Sequence, residues 1–163
     1  VPSVSCSIGL DQGSTVAMLA HGLKKYDNKT IFTASLASIL ELMKSKNTLY
    51  CFGGKFSYED LAFQGDFRSE LYANIQLDFC FFGSSGVKGR AGFCTSSFTD
   101  AELKRNLLKR STKKIVLLDS SKFQQSSLIE VATWRDVDLV ITNKDIPELE
   151  TKKIRNETHL ITV

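Results

Sequence analysis

The stretch "GLDQGSTVAML", residues 9–19, joins a short apolar segment to the start of a helix. The segment before the turn, residues 4–10, has the length and composition of a β-strand. Gly13, Ser14 and Thr15 are residue types that favour a turn followed by a helix start. The same alternation of strand-like and helix-like segments continues along the chain. This pattern is typical of a parallel sheet covered by helices.

The predicted elements extend this pattern from one end of the sequence to the other. Strands are predicted at residues 4–10, 30–33, 48–52, 79–83, 115–119, 139–142 and 159–163, and helices at 14–25, 35–45, 66–75, 99–111 and 146–155. We therefore predict an α/β fold with an open, mostly parallel sheet and helices on both faces. Residues 1–163 have the size of one domain, and no repeat or linker divides them. The extended stretch 55–65 contains apolar residues that either pack on the core or form an interface, namely Phe56, Tyr58, Leu61 and Phe63.

The composition excludes several classes of protein. With 42% hydrophobic and 24% charged residues the chain is globular, and a net charge of +3 is well short of the basic stripe that indicates nucleic-acid binding. No apolar run approaches the roughly 20 residues that cross a bilayer, and no signal peptide is recognisable, so we expect a cytoplasmic protein without membrane contact. The cysteines are widely spaced, which favours reduced core thiols over metal ligands or disulfides: Cys6, Cys51, Cys80 and Cys94. We predict no metal and no cofactor.

The turn at residues 11–15 is the first candidate site, because ligands of open α/β sheets collect where strands end. Backbone N–H groups at the start of the next helix favour an anion, and Ser14 and Thr15 add hydroxyl donors. The alternative is structural: Ser14 or Thr15 caps the helix, and Gly13 only makes the turn. Asp11 would repel a phosphate, so we expect its carboxylate to accept hydrogen bonds from sugar hydroxyls beside it. The turn lacks the G-x-G-x-x-G spacing of a dinucleotide fold, which disfavours a nucleotide-binding module.

Two later segments add candidate residues. "FFGSSGVKGRAGF", residues 81–93, contains four glycines after an apolar strand. Because glycine has no side chain, this segment is predicted to bring its backbone close to a ligand or to another part of the protein. The alternative is a flexible surface loop. The next helix carries Glu102 near its start and Lys104 two residues on, and its other cations form a solvated face. "IVLLDSSKF", residues 115–123, places Lys122 in a turn after a strand, where its charge suits a phosphate.

Taken in order, these segments resemble a known family. "LDQGSTVAMLAHGL", "FTASL", "CFGGKF", "FFGSSGVKGRAGF", "DAELKRNLLKRS", "VLLDSSKFQ" and "VDLVITN" are similar to the effector-sensing domain of DeoR-family bacterial transcriptional regulators. The resemblance covers nearly the whole chain. It implies a fold related to ribose-5-phosphate isomerase and glucosamine-6-phosphate deaminase, a phosphorylated sugar as effector, and a homo-oligomer. It also implies a winged helix-turn-helix ahead of this domain, so that DNA is contacted only through a part of the protein outside these residues.

The resemblance assigns a ligand site to residues spread along the chain. It implies that Asp11, Gly13, Ser14, Thr15 and Gly83 line the site, that Thr33 and Ser35 flank it, that Gly53 and Gly54 form its floor, and that Glu102, Lys104 and Lys122 close it. Two departures from the family pattern concern the identity of the sugar. Ala34 stands where the family usually has asparagine between Thr33 and Ser35, and Lys88 stands where an acid is common.

Enzymes of the related fold provide the alternative function. An isomerase or deaminase needs a positioned carboxylate to move a proton on the sugar carbons. The loop at residues 83–88 has no acid, which leaves Glu102 as a candidate base without a partner acid or histidine. We therefore predict that the chain is the ligand-binding sensor domain of a transcriptional regulator of carbohydrate metabolism, and that this regulator is a repressor. We predict no catalytic residue in the chain. A sugar-phosphate isomerase or deaminase-like enzyme remains the alternative.

Overall fold

The structure, a computed structural model, describes residues 2, 4–65, 72 and 74–163. Its strands are β1 (Cys6–Leu10), β2 (Lys29–Thr33), β3 (Thr48–Cys51), β4 (Lys55–Ser57), β5 (Ala62–Gln64), β6 (Leu77–Phe82), β7 (Gly92–Thr95), β8 (Ser111–Leu117), β9 (Ile129–Thr133), β10 (Leu139–Thr142) and β11 (His159–Thr162). Its α-helices are α1 (Ser14–Leu23), α2 (Leu36–Leu42), α3 (Phe98–Lys109) and α4 (Glu148–Glu157), with short 3-10 helices at Ser120–Phe123 and Trp134–Asp136.

Seven strands form one parallel sheet in the order β11-β10-β8-β6-β1-β2-β3. The chain adds β2 and β3 on one side of β1, and then places β6, β8, β10 and β11 on the other side. The direction of winding therefore reverses between β1 and β6. Such a switch point opens a crevice at the carboxyl ends of the two strands, which is where α/β sheets bind ligands.

Side chains that alternate along the strands build two apolar layers. Ile8 and Phe81 face the layer under α1 and α2, whereas Phe82 and Val116 face the layer under α3 and α4, which also contains the buried Trp134. This alternation follows from the period of two along a strand. The predicted α/β class, with a parallel sheet and helices on both faces, is confirmed.

The predicted elements agree with this sheet. The seven predicted strands are the seven strands of the sheet, with each end displaced by four residues or fewer. The helices predicted at 14–25, 35–45, 99–111 and 146–155 correspond to α1–α4, whereas the helix predicted at 66–75 falls largely on residues outside the described ranges, 66–71 and 73. In the part of the chain that the structure describes, no helix combines the length and apolar character needed to span a bilayer.

Two small antiparallel pairs lie outside the main sheet, and the sequence analysis does not predict them. β4 and β5 form a hairpin within residues 55–65, and β7 pairs with β9 across an irregularity between Phe93 and Cys94. β4 and β5 have only three residues each, which is too few for alternation to be recognised from the sequence. In the hairpin, the Phe56 ring contacts the rings of Tyr58 and Phe63, while Tyr58 is 84% exposed.

The four cysteines are free thiols, as expected. Cys6, Cys80 and Cys94 are buried, and burial raises the pKa of each thiol, that of Cys94 to about 11. Cys51 differs from the expectation of a core position, because it lies exposed on the edge strand β3.

Candidate ligand-binding site

A polar cavity of about 230 Å³ opens at the switch point between β1 and β6. Every residue that lines it is polar or glycine: Gln12, Gly13, Ser14, Thr15, Asp60, Gly83, Ser84, Ser85, Thr95, Ser96, Asp100, Lys104 and Lys122. A cavity below the roughly 300 Å³ at which drug-sized sites begin suits a small metabolite. The wall contains two lysines, two aspartates and several hydroxyl groups, so it suits a ligand that carries both an anion and hydrogen-bonding groups.

The N-terminus of α1 forms one wall of this cavity. Gly13 occupies the N-cap position with φ of 116°, a conformation that other residues rarely adopt. Within the described part of the chain no side chain caps α1, and its first turn contains no acidic residue. The alternative in which Ser14 or Thr15 merely caps the helix is therefore wrong. The N–H groups of the first turn and the positive end of the helix dipole remain available to an anion.

Lys122 reaches the cavity because the glycine-rich loop packs against the turn that follows β8. The Val87 N–H donates to the Lys122 carbonyl oxygen at 2.8 Å, and a Cβ on Gly86 would lie 2.4 Å from the Gln125 carbonyl oxygen. The close approach predicted for this loop is thus made to the protein's own backbone. The Lys122 Nζ lies 4.0 Å from the nearer Asp119 carboxylate oxygen, and its side chain is 27% exposed, so its charge can be shared with a ligand.

A buried ion cluster lies at the base of the cavity. The Lys104 Nζ is 2.5 Å from Asp11 Oδ2 and 2.8 Å from Asp100 Oδ2, and none of the three side chains is more than 5% exposed. The Gly83 N–H also donates to Asp11 Oδ2, at 2.9 Å. Asp11 Oδ1 is buried and accepts no hydrogen bond from the described residues. One ammonium group is therefore shared by two carboxylates in a region without water-like screening.

Burial and the neighbouring charges have opposing effects on the pKa values of Asp11 and Lys104. Burial raises the pKa of Asp11 to about 6, and the nearby Asp100 adds to the effect, although Lys104 opposes it. Burial disfavours the charge on Lys104, but the carboxylates of Asp11 and Asp100 outweigh this and raise the pKa of Lys104. The lysine therefore stays charged, while the two acids compete for it.

The structure brings half of the predicted site residues together. Gly13, Ser14, Thr15, Gly83, Lys104 and Lys122 line the cavity. The other six do not line it: Asp11, Thr33, Ser35, Gly53, Gly54 and Glu102. The Asp11 side chain, predicted to accept hydrogen bonds from sugar hydroxyls, is buried against Lys104 and does not line the cavity. Glu102 is exposed on α3 and away from the cavity wall, as is Lys88 in the glycine-rich loop.

The residues expected at the flank and floor have a structural role instead. Ser35 is the N-cap of α2, and its side chain accepts from the Ser38 N–H, while Thr33 Oγ1 accepts from the Ser35 N–H. Gly54 has φ of 123°, and a Cβ there would lie 2.5 Å from the Gln64 carbonyl oxygen. Thr33, Ser35 and Gly54 therefore shape the junction between β2, α2 and the β4–β5 hairpin.

Several lining residues were not identified from the sequence. Asp60 comes from the unpredicted hairpin, and Thr95 and Ser96 come from the end of the unpredicted strand β7. Asp100 had a recognisable signal, because an acid four residues before Lys104 on a helix lies on the same face. Among the described residues no group of three or more His, Cys, Asp or Glu is arranged to hold a metal ion.

A family model matches this chain, and several curated relatives that match it are named for the regulation of gene expression. The family model of the DeoR C-terminal sensor domain matches residues 4–144. The HTH-type transcriptional regulator GolR of Listeria innocua is 30% identical over 92% of this chain and 59% of its own length. The L-fucose operon activator of Haemophilus influenzae is 29% identical over 86% of this chain and 57% of its own length. The lactose phosphotransferase system repressor of Staphylococcus epidermidis is 30% identical over 90% of this chain and 58% of its own length.

The chain thus spans a little under three fifths of the length of these relatives. Among solved structures, ribose 5-phosphate isomerase A of Methanocaldococcus jannaschii is similar over 72% of this chain and 46% of that chain, with a TM-score of 0.48 and 16% identity. The family model covers most of the described residues, including both walls of the cavity. The chain belongs to the family of DeoR C-terminal sensor domains.

Proposed function

We propose that the cavity binds a phosphorylated sugar and that the chain is the sensor of a transcriptional regulator of carbohydrate metabolism. The observation that carries this proposal is the uncapped N-terminus of α1, which shares the cavity wall with Lys122. A helix N-terminus and a lysine both favour an anion such as a phosphate. The hydroxyl, amide and carboxylate groups elsewhere in the wall suit the hydroxyls of a sugar.

The relatives support the carbohydrate part of this proposal. Two of them are named for a fucose operon and for a lactose phosphotransferase system, and they are an activator and a repressor of transcription. We infer that this chain likewise senses a sugar-derived ligand and binds it without turnover. DNA would be contacted in the cytoplasm, through a part of the longer protein outside these 163 residues.

Phosphorylated sugars are expected to raise the melting temperature of this chain, whereas their unphosphorylated parents should have little effect. A ligand at about 100 times its Kd adds roughly 2.7 kcal/mol to the free energy of unfolding. Differential scanning fluorimetry with a panel of pentose and hexose phosphates, their parent sugars and a set of nucleotides measures this directly. Stabilisation by nucleotides alone would refute the proposed ligand class.

Lys122→Ala is expected to weaken every phosphorylated ligand by a similar factor. The loss should be on the order of 1.5 to 3 kcal/mol, as for a hydrogen bond to a charged group, and it should shrink as added salt screens the charges. Lys88→Ala is the matched control, because Lys88 is exposed and does not line the cavity. Isothermal titration calorimetry at two salt concentrations compares the variants. An unchanged affinity in Lys122→Ala would exclude Lys122 from the phosphate site.

A further inference from the structure

The β4–β5 hairpin brings to the cavity a carboxylate that lies outside the buried cluster. Asp60 lines the main cavity, and it also lines a smaller adjoining cavity together with Gln12 and Asp100. Ser85 and Lys122 line only the main cavity. Asp60 therefore lies where the main cavity meets the smaller one, beside α3, whereas Lys122 lines the main cavity alone. A ligand whose anion is held by Lys122 would extend toward Asp60.

The hairpin is fixed to the main fold by backbone hydrogen bonds. The Leu36 N–H donates to the Leu61 carbonyl oxygen at 2.8 Å, and the Phe63 N–H donates to the Ala34 carbonyl oxygen at 2.9 Å. Both bonds attach the β5 side of the hairpin to the segment that joins β2 to α2. Asp60, one residue before Leu61, thus has a defined position relative to the sheet, as a residue that discriminates between ligands requires.

The hydrogen bonds of Asp60 leave part of its carboxylate free for a ligand. Ser57 Oγ and Gln64 Nε2 donate to Asp60 Oδ2 at 3.1 Å and 3.0 Å. Both donors are neutral, and among the described residues no cation pairs with Asp60 and no hydrogen bond reaches its Oδ1. An ionised carboxylate accepts hydrogen bonds and donates none, so a ligand group that meets Oδ1 must be a donor.

We propose that Asp60 determines which sugar phosphate binds, by accepting a hydrogen bond from a sugar hydroxyl at the end of the ligand remote from the phosphate. This inference rests on the proposed function, because it presupposes that a sugar phosphate occupies the cavity. It selects for ligands that present a hydroxyl donor at that position and against epimers or deoxy sugars that do not. Asp60 thus performs the role that the sequence analysis assigned to Asp11.

The test combines a change in the protein with a change in the ligand. The tightest-binding sugar phosphate of the fluorimetry panel is compared by calorimetry with its single-hydroxyl epimers and monodeoxy analogues, in the wild type and in Asp60→Asn. In the wild type, at least one analogue should bind about tenfold or more weakly than the parent, because a hydrogen bond to a charged group is lost. In Asp60→Asn that ratio should fall to about threefold or less, since the neutral amide oxygen accepts a weaker hydrogen bond from the parent's hydroxyl than a carboxylate does.

Three controls separate specificity from general damage. Glu59→Gln makes the same charge change on the same hairpin at an exposed residue outside the cavity, and it should keep the wild-type ratio. Ser57→Ala removes the two hydrogen bonds between Ser57 Oγ and Asp60 but retains the carboxylate, so it should also keep the ratio even if it loosens the hairpin. Inorganic phosphate should bind Asp60→Asn and the wild type alike.

Each outcome decides one proposal. An analogue ratio in Asp60→Asn equal to that of the wild type overturns the role of Asp60, while sugar phosphate binding itself stands. A ratio that changes equally in Ser57→Ala also overturns it, because the effect then comes from the hairpin and not from the carboxylate. If no sugar phosphate binds the wild type, the proposed function fails, and the inference about Asp60 fails with it.

Discussion

Lys104→Met is expected to lower the free energy of unfolding by about 3 to 5 kcal/mol at neutral pH, as when one partner of a buried ion pair is removed. The lysine ammonium is the group that compensates Asp11 and Asp100, and all three side chains are almost completely buried. Methionine keeps the length and most of the volume of lysine, so the loss reports charge and hydrogen bonding more than packing. Chemical denaturation followed by circular dichroism measures it.

The loss should depend on pH in a way that packing damage would not. Burial raises the pKa of Asp11 to about 6, so at acidic pH this carboxyl group takes up a proton, and the stability difference between Lys104→Met and the wild type should narrow. Lys109→Met is the matched control on the same helix, because Lys109 is exposed, and it should change stability by less than about 0.5 kcal/mol. A loss in Lys104→Met that is small, or that is equal at all pH values, would contradict a charge-compensating role for Lys104.

The buried Asp11 is expected to make stability fall as the pH rises from about 4 to about 6. Its pKa in the folded protein is about 6, above the ordinary value of 3.8, so the folded state holds a proton that the unfolded state has already released. The contribution is fully present below the unfolded pKa and is lost as the pH rises through the folded pKa. A shift of about two units corresponds to about 3 kcal/mol.

Asp11→Asn isolates this contribution, because asparagine retains an acceptor for Lys104 but does not titrate in this range. The difference in unfolding free energy between the wild type and Asp11→Asn should change by about 2 kcal/mol between pH 4 and pH 7, because the wild type becomes less stable relative to the variant as the pH rises. Denaturation curves at several pH values in one buffer series provide the measurement. A difference that is flat with pH would mean that Asp11 is ionised throughout, held so by Lys104.

The sheet could be predicted well because its signals are local. Residues 139–142 form the strand that the sequence predicts, and α1 begins at Ser14 as predicted, since an apolar run and a helix period depend only on neighbouring residues. The β4–β5 hairpin and β7 were not predicted from the sequence; the hairpin's turn supplies Asp60 to the cavity, and β7 supplies Thr95. These residues therefore depend on contacts between distant segments, whereas Lys104 and Lys122, which the resemblance to the family indicates, lie in predicted segments that also line the cavity.

The sequence by itself determined the α/β class, the seven strands of the sheet, and a turn at Gly13 that opens a helix without an acidic first turn. These properties follow from residue type and from spacing within a few positions. Only the tertiary structure decided the partner of each charge. Asp11 and Lys104 are 93 residues apart, and they meet because β6 lies beside β1 and α3 packs over β6 and β8. Burial then made the Asp11 carboxylate an internal ion partner and left Asp60, on a separate hairpin, facing the cavity.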